Sequence, residues 1–207
     1  MNRAFPLATA AVGALALAAC QQKDAQPNPN DPGTGNDAVN AAQDATSAAV
    51  GAASSATVGQ VSTDAFVTNA AISDMYEIQA GEIAQKKGQS AGVKAFGKQM
   101  AADHTAMSNE MKPLVAAAGK TPPTGLDERR KGLIDNLNAA SAAEFDKVYL
   151  DQQEAAHDEA LTLMKGYADN GDDAGLKAAA SKAVPKVQAH LDHVKQLKSG
   201  AAAPAKK

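Results

Sequence analysis

Val93, Phe96, Met100, His104, Met107, Met111 and Leu114 recur at spacings of three and four, and this row constrains the chain more than any other feature. Such a row lies along one face of an α-helix, whereas a strand turns alternate side chains to opposite faces. It predicts a helix over residues 90–118, closed by Gly119. Three further long patterns flank it. One starts behind Ser62-Thr63-Asp64, which can cap free amides, and runs to Lys87 with Gly88 as its stop, placing Phe66, Ile72, Tyr76, Gln79 and Ile83 on one side. Another opens where Ser141 and Glu144 have capping-box spacing and runs through Tyr167, carrying Leu150, Gln153, His157, Leu161 and Met164. The last spans residues 174–198 with Leu176, Ala180, Val184, Val187, Leu191, Val194 and Leu197, and Pro185 within it should kink it or sit where a neighbour absorbs the lost hydrogen bond. A Pro-containing loop precedes a shorter helix over residues 126–138.

Ala, Leu, Lys and Gln, which favour helix, are abundant, and no segment alternates with period two, so the class is all-α. Four amphipathic helices of about 25 residues bury their rows most simply as an antiparallel four-helix bundle, with the short helix as a connector. That bundle is expected over residues 61–198. The formal charge is −3 and no dense Lys/Arg stripe exists to neutralise phosphates, which argues against nucleic acid as a partner.

The N-terminal part has a different character. Met1–Arg3 is a short positive start, residues 4–19 form an apolar run, and small residues lead into Cys20, the chain's one cysteine. The arrangement resembles a bacterial lipoprotein signal: residues 1–19 would be removed and Cys20 would carry the lipid. A run this short falls below the ~20 residues that span a bilayer, so a retained transmembrane helix is disfavoured; a plain secretory signal with an incidental cysteine is the alternative. Gln21, not Asp, follows, which in lipoproteins resembling those of enteric bacteria implies the outer membrane. Residues 20–60 are Pro/Asn/Asp/Gly-rich, then Ala/Ser/Thr-rich, and carry too little apolar surface to repay ordering. They are expected to form a disordered tether with a reach of roughly 35 Å. Residues 199–207 are expected to be a disordered tail.

All four histidines fall in the helical region. His104, His157 and His190 interrupt apolar rows on three helices, which places them to converge at one level of the interior, the way bundles build metal sites. Glu154 precedes His157 as a Glu-x-x-His pair, and Glu77 is an inward carboxylate candidate on the first helix. Asp74, Glu82, Asp103 and His193 form a second tier of candidate ligands. A di-iron set would need a second Glu-x-x-His, and Ala101 stands three before His104. The competing expectation is a structural polar network among Asp74, Gln79, His104, Gln153, His157 and His190. No Gly-x-Ser-x-Gly, Cys-x-x-Cys-His or phosphate-cradling loop is present, so no catalytic residue is assigned.

The order Phe66-Val67, Ser73 to Gly81, Phe96…Met100-Ala-Ala-Asp103-His104, Leu126-Asp127, Phe145-Asp146…Tyr149…Gln153…His157 and His190-Leu191 resembles a bacterial ferritin-like family of unknown function, often labelled predicted outer-membrane protein. The resemblance implies a ferritin-like bundle in the cell envelope and no established activity, since fold alone does not carry function. The leading expectation is an envelope lipoprotein with a non-enzymatic binding or structural role facing the periplasm, its partners the membrane, through the lipid, and an envelope protein. The alternative is a metal-binding redox or storage protein, with a transition-metal ion (iron, copper or zinc) held by the inward His and Glu residues.

Overall fold

A computed structural model of the chain describes residues 62–202, with side chains described through residue 200. The expected signal at 1–19, Cys20, the tether at 20–60 and the end of the tail, 203–207, lie outside the described residues. The described residues form five helices: α1 (Thr63–Lys87), α2 (Ala91–Ala117), α3 (Glu128–Ala139), α4 (Phe145–Asn170) and α5 (Ala174–Ala202). No strand occurs among the described residues, and none of these helices is long and apolar enough to cross a membrane.

Local chemistry sets most boundaries. Ser62, Ser90, Asp127 and Asp173 each accept a hydrogen bond from the amide three residues on, at 3.3, 3.2, 2.7 and 2.8 Å, satisfying an amide that the first helical turn leaves free. The start of α4 differs from expectation. The carbonyl of Ser141 already accepts from the amides of Glu144 and Phe145, so a turn precedes the helix. The Ser141 hydroxyl therefore meets the Glu144 carboxylate at 2.7 Å instead of capping, and α4 begins at Phe145 without a side-chain cap. At the other end, the tail expected to be disordered from 199 is helical through Ala202, α5 running through Ser199 and Gly200, since a lone glycine weakens a helix without ending it. Pro113 and Pro185 sit inside α2 and α5 on exposed positions, where water can serve the carbonyls they free.

Packing organises the helices around a common interior. α1 lies against α2 and α4 against α5 as the two closest pairs; α1 also meets α4, α2 meets α5, and α3 lies against α1 and α4. Phe96, Met100, Phe145, Tyr149, Leu161, Val187, Leu191 and Val194 form the centre of the main core. A second cluster at the opposite end joins Phe66, Val115, Met164, Tyr167 and Leu176. There the Phe66 and Tyr167 rings stack at 3.9 Å, and the Tyr167 hydroxyl lies 2.6 Å from Thr63 Oγ1.

Phe66, Ile72 and Tyr76 of α1 are buried as its apolar pattern suggests, and Gln79 is exposed. The buried face is wider than that row, because Thr63, Val67, Ala70, Asp74, Glu77, Gly81 and Ala84 are buried as well. Small residues let α2 approach closely: a Cβ added at Gly81 would stand 2.5 Å from the Gly97 carbonyl oxygen. Close contact with α2 is what brings Asp74 and Glu77 into the interior beside His104.

Candidate metal centre

Three histidines from three helices meet in the interior. His104 on α2, His157 on α4 and His190 on α5 are 2%, 1% and 2% exposed. Their ring centroids form a nearly equilateral triangle with sides of 5.8, 5.7 and 5.5 Å. One nitrogen from each ring can be chosen so that all three lie within 4.8 Å of one another.

Each ring is fixed by an acceptor on one nitrogen. His104 Nδ1 lies 2.8 Å from Asp74 Oδ1, His157 Nδ1 lies 2.8 Å from the Gln153 carbonyl oxygen, and His190 Nε2 lies 2.9 Å from Asp103 Oδ2. A carbonyl and two carboxylates only accept, so the ring nitrogen facing each of them carries the proton. In the neutral tautomers, lone pairs are left on His104 Nε2, His157 Nε2 and His190 Nδ1. These three nitrogens are buried and have no hydrogen-bond partner among the described residues. Three orphaned acceptors in one place are unusual, because buried polar groups are nearly always paired.

Electrostatics keep most of the cluster neutral. Burial is the largest influence on His104 and pulls its pKa down. The bond to Asp74 and the charges of Glu77, Asp74 and Asp103 outweigh it, leaving His104 above its ordinary value. Burial lowers His157 despite Glu77, with a charge on His104 adding to the effect. Burial also dominates at His190, which is held down to about 4 in spite of Asp103. A proton on one ring thus opposes a proton on the next, and at neutral pH at least two of the lone pairs stay available.

Other residues singled out in the sequence fall in different places. Glu77 is 1% exposed and reaches the periphery of the cluster: Gln153 Nε2 donates to its Oε2 at 2.7 Å, and its Oε1 is 3.9 Å from His157 Nδ1. Asp74 and Asp103, named as second-tier ligands, instead anchor His104 and His190 from behind. Glu154 is turned away, its carboxylate paired with Lys198 at the partly exposed edge of α4, because the helix that buries His157 points the residue three before it sideways. Glu82 is exposed. His193 is half-buried with its ring edge-on to Phe96, centroids 5.1 Å apart, and is absent from the three-ring cluster. Of the network proposed from sequence, Asp74, Gln153 and the three histidines are in place and Gln79 is not. The role of Gln153 as a double anchor, side chain to Glu77 and carbonyl to His157, had one sequence signal: a polar residue on an apolar row, four before a histidine.

Orientation of each ring by a hydrogen bond on its far nitrogen is the arrangement that metal-ligating histidines adopt. The sequence model of a family described as Domain of unknown function (DUF4142) matches residues 36–197. No curated protein and no solved structure matches the chain.

Proposed function

Because the chain belongs to the DUF4142 family, whose domains carry no assigned function, we propose from the site itself that the helical domain holds one transition-metal ion on His104 Nε2, His157 Nε2 and His190 Nδ1. The observation that carries this is the set of three buried, partnerless nitrogens on rings already fixed from behind. A purely structural network would leave each of those nitrogens at a desolvation cost of about 1–3 kcal/mol, and a shared ion removes all three costs together. An ion about 2.0 Å from three nitrogens in a trigonal plane puts ring centroids roughly 5.5 Å apart. The rings stand at 5.5–5.8 Å.

Imidazole donors suit zinc, copper, iron and nickel, and an all-nitrogen set without a coordinating carboxylate does not suit calcium or magnesium. Asp74 and Asp103 would raise ligand basicity and offset ionic charge, and Glu77 adds a third negative group nearby. The four long helices are, on this proposal, an antiparallel four-helix bundle of the ferritin-like kind with α3 as connector. The ligand set is not a ferritin-like di-iron set, since the interior carboxylates face histidines and Gln153. The sequence features around Cys20 support an envelope lipoprotein whose domain, held on a tether, faces the periplasm.

Elemental analysis of the purified full chain, with removal and titrated return of metal, tests the proposal. One equivalent of a transition metal is expected, lost on His104→Ala with His157→Ala. A wild-type chain that takes up no zinc, copper or iron after metal removal would overturn it.

A further inference from the structure

A cleft of about 580 Å³ opens along the seam where α2 and α5 meet, a looser contact than either helix makes with its main partner. Met107 and Met111 of α2 and Met164 of α4 line it, with Leu114 and small residues of α5. Its inner end includes Asp74, the residue bonded to His104, and Met107 stands one helical turn beyond His104. The cleft therefore reaches the carboxylate that holds His104 from behind, although none of the three histidine rings lines it. At its rim Lys182 pairs with Glu110 at 2.9 Å, and Lys186 lies 3.7 Å from Asp103. Beside the paired carboxylates of Glu110 and Asp74, the donor side chains that the cleft offers an ion are the three thioethers.

Thioether sulfur is a neutral, soft, polarisable donor that holds cuprous ions and has little affinity for zinc or harder dications. Three of the chain's six methionines border this one opening, whereas Met100, on the same row of α2, is fully packed in the core. We propose that the cleft is the entry path for copper(I): Met107, Met111 and Met164 take up the ion and pass it to the three histidines. The inference rests on the histidine cluster being a metal centre. Transfer exchanges sulfur–copper bonds for nitrogen–copper bonds, with no electron moved and no proton required beyond those already on the far ring nitrogens.

The test uses the full chain under anaerobic conditions, with copper(I) presented as its bicinchoninate complex and uptake followed by loss of the complex's colour. Zinc uptake is followed in parallel against a chromophoric chelator. Replacing Met107, Met111 and Met164 by Leu keeps volume and apolarity while removing sulfur. Cuprous loading is expected to slow by about tenfold or more, the loss of roughly one favourable ligand contact, with zinc loading and final stoichiometry unchanged. An unchanged cuprous rate, as a cleft built for an apolar organic molecule would give, overturns the proposal, and so does equal slowing of both ions. If the triple variant fails to fold, Met111→Leu alone, at the most exposed of the three, is expected to show a smaller slowing of the same selectivity, and its absence counts equally against the path. Zinc bound at the histidines with cuprous uptake indifferent to sulfur would sink only this inference. Failure of the unsubstituted chain to bind either ion would sink the metal centre and this path together.

Discussion

His190 Nε2 and Asp103 Oδ2 lie 2.9 Å apart across the α2–α5 contact, and that single hydrogen bond turns the remaining nitrogen of His190 towards His104 and His157. Asp103 is one residue before His104, so α2 supplies one ring of the cluster inward and, from its flank, the anchor for another.

Asp103→Ala should therefore weaken metal binding without removing any ligand. A loss of about 10–100-fold in affinity is expected, the usual effect of deleting a hydrogen-bond partner behind a ligating histidine. Because the buried His190 ring loses its acceptor, the metal-free chain should also lose up to about 1–3 kcal/mol of stability. Competitive titration checks the first and a melting curve the second; unchanged affinity would mean that His190 is not held by this bond.

His157→Leu separates a ligand from a structural histidine. His157 Nδ1 donates to the carbonyl of Gln153, which sits four residues earlier in α4 and so can also accept the helical amide bond at position 157. The substitution leaves that helical bond in place and removes the orphaned Nε2. Metal-free stability is expected to hold or rise by up to about 1 kcal/mol, while metal binding disappears. Urea denaturation with chelator present measures the stability change, and a loss of more than about 2 kcal/mol would instead mark the ring as a structural element.

Gly81→Val tests the contact between α1 and α2. Even a Cβ here would meet the Gly97 carbonyl oxygen at 2.5 Å and the Ala101 amide nitrogen at 3.0 Å, both backbone atoms that cannot rotate aside. The helices must separate, and a loss of about 1–3 kcal/mol is expected, as for overpacked cores. Since the same contact places Asp74 on His104, metal affinity should drop as well. Retention of full stability in a denaturant titration would contradict the packing described.

Acid should destabilise the metal-free domain. His190 is held at about 4 against an ordinary 6.5, and His157 is also lowered. Between those values the unfolded chain binds protons that the native rings refuse, so stability falls as pH drops from 6.5 towards 4. His104 is raised and works in the opposite sense, contributing stability at low pH that is lost as pH rises through its native value. Two lowered rings against one raised ring give a net loss on acidification. A melting temperature lower at pH 5 than at pH 7 by roughly 5 °C is expected with chelator present, and metal affinity should fall over the same window as protons compete. A melting temperature that rises on acidification would contradict this.

Cys20→Ser should release the chain from membranes if Cys20 carries the lipid, because stable anchoring needs the acyl chains. Fractionation of cells expressing the variant gives the answer, and unchanged membrane attachment would remove the lipoprotein proposal.

Periodicity made α2, α4 and α5 legible, because large apolar residues at three-and-four spacing mark the buried face directly. It also put His104, His157 and His190 on inward positions, where the structure has them. On α1 the same approach found Phe66, Ile72 and Tyr76, which are buried, but took in the exposed Gln79 and missed the small residues Gly81 and Ala84 on the buried face. Large apolar residues reveal where a helix meets bulky neighbours, and small ones reveal where it meets a backbone. Glu154 lies outside the histidine cluster for a related reason, since Glu-x-x-His fixes spacing along a helix but not which residue of the pair the neighbouring helices cover.

What the sequence determined by itself was the helical class, the five helices of the described residues, the Ser62 cap and the inward register of three imidazoles, because these follow from interactions within a few residues. Tertiary structure decided which nitrogen of each ring is tied back and which is left facing the others. That choice depends on Asp74 and Asp103 reaching their rings across helix contacts, His104 from α1 and His190 from α2, and on how closely Gly81 lets α1 approach α2. Distances of that kind are set only when the helices pack.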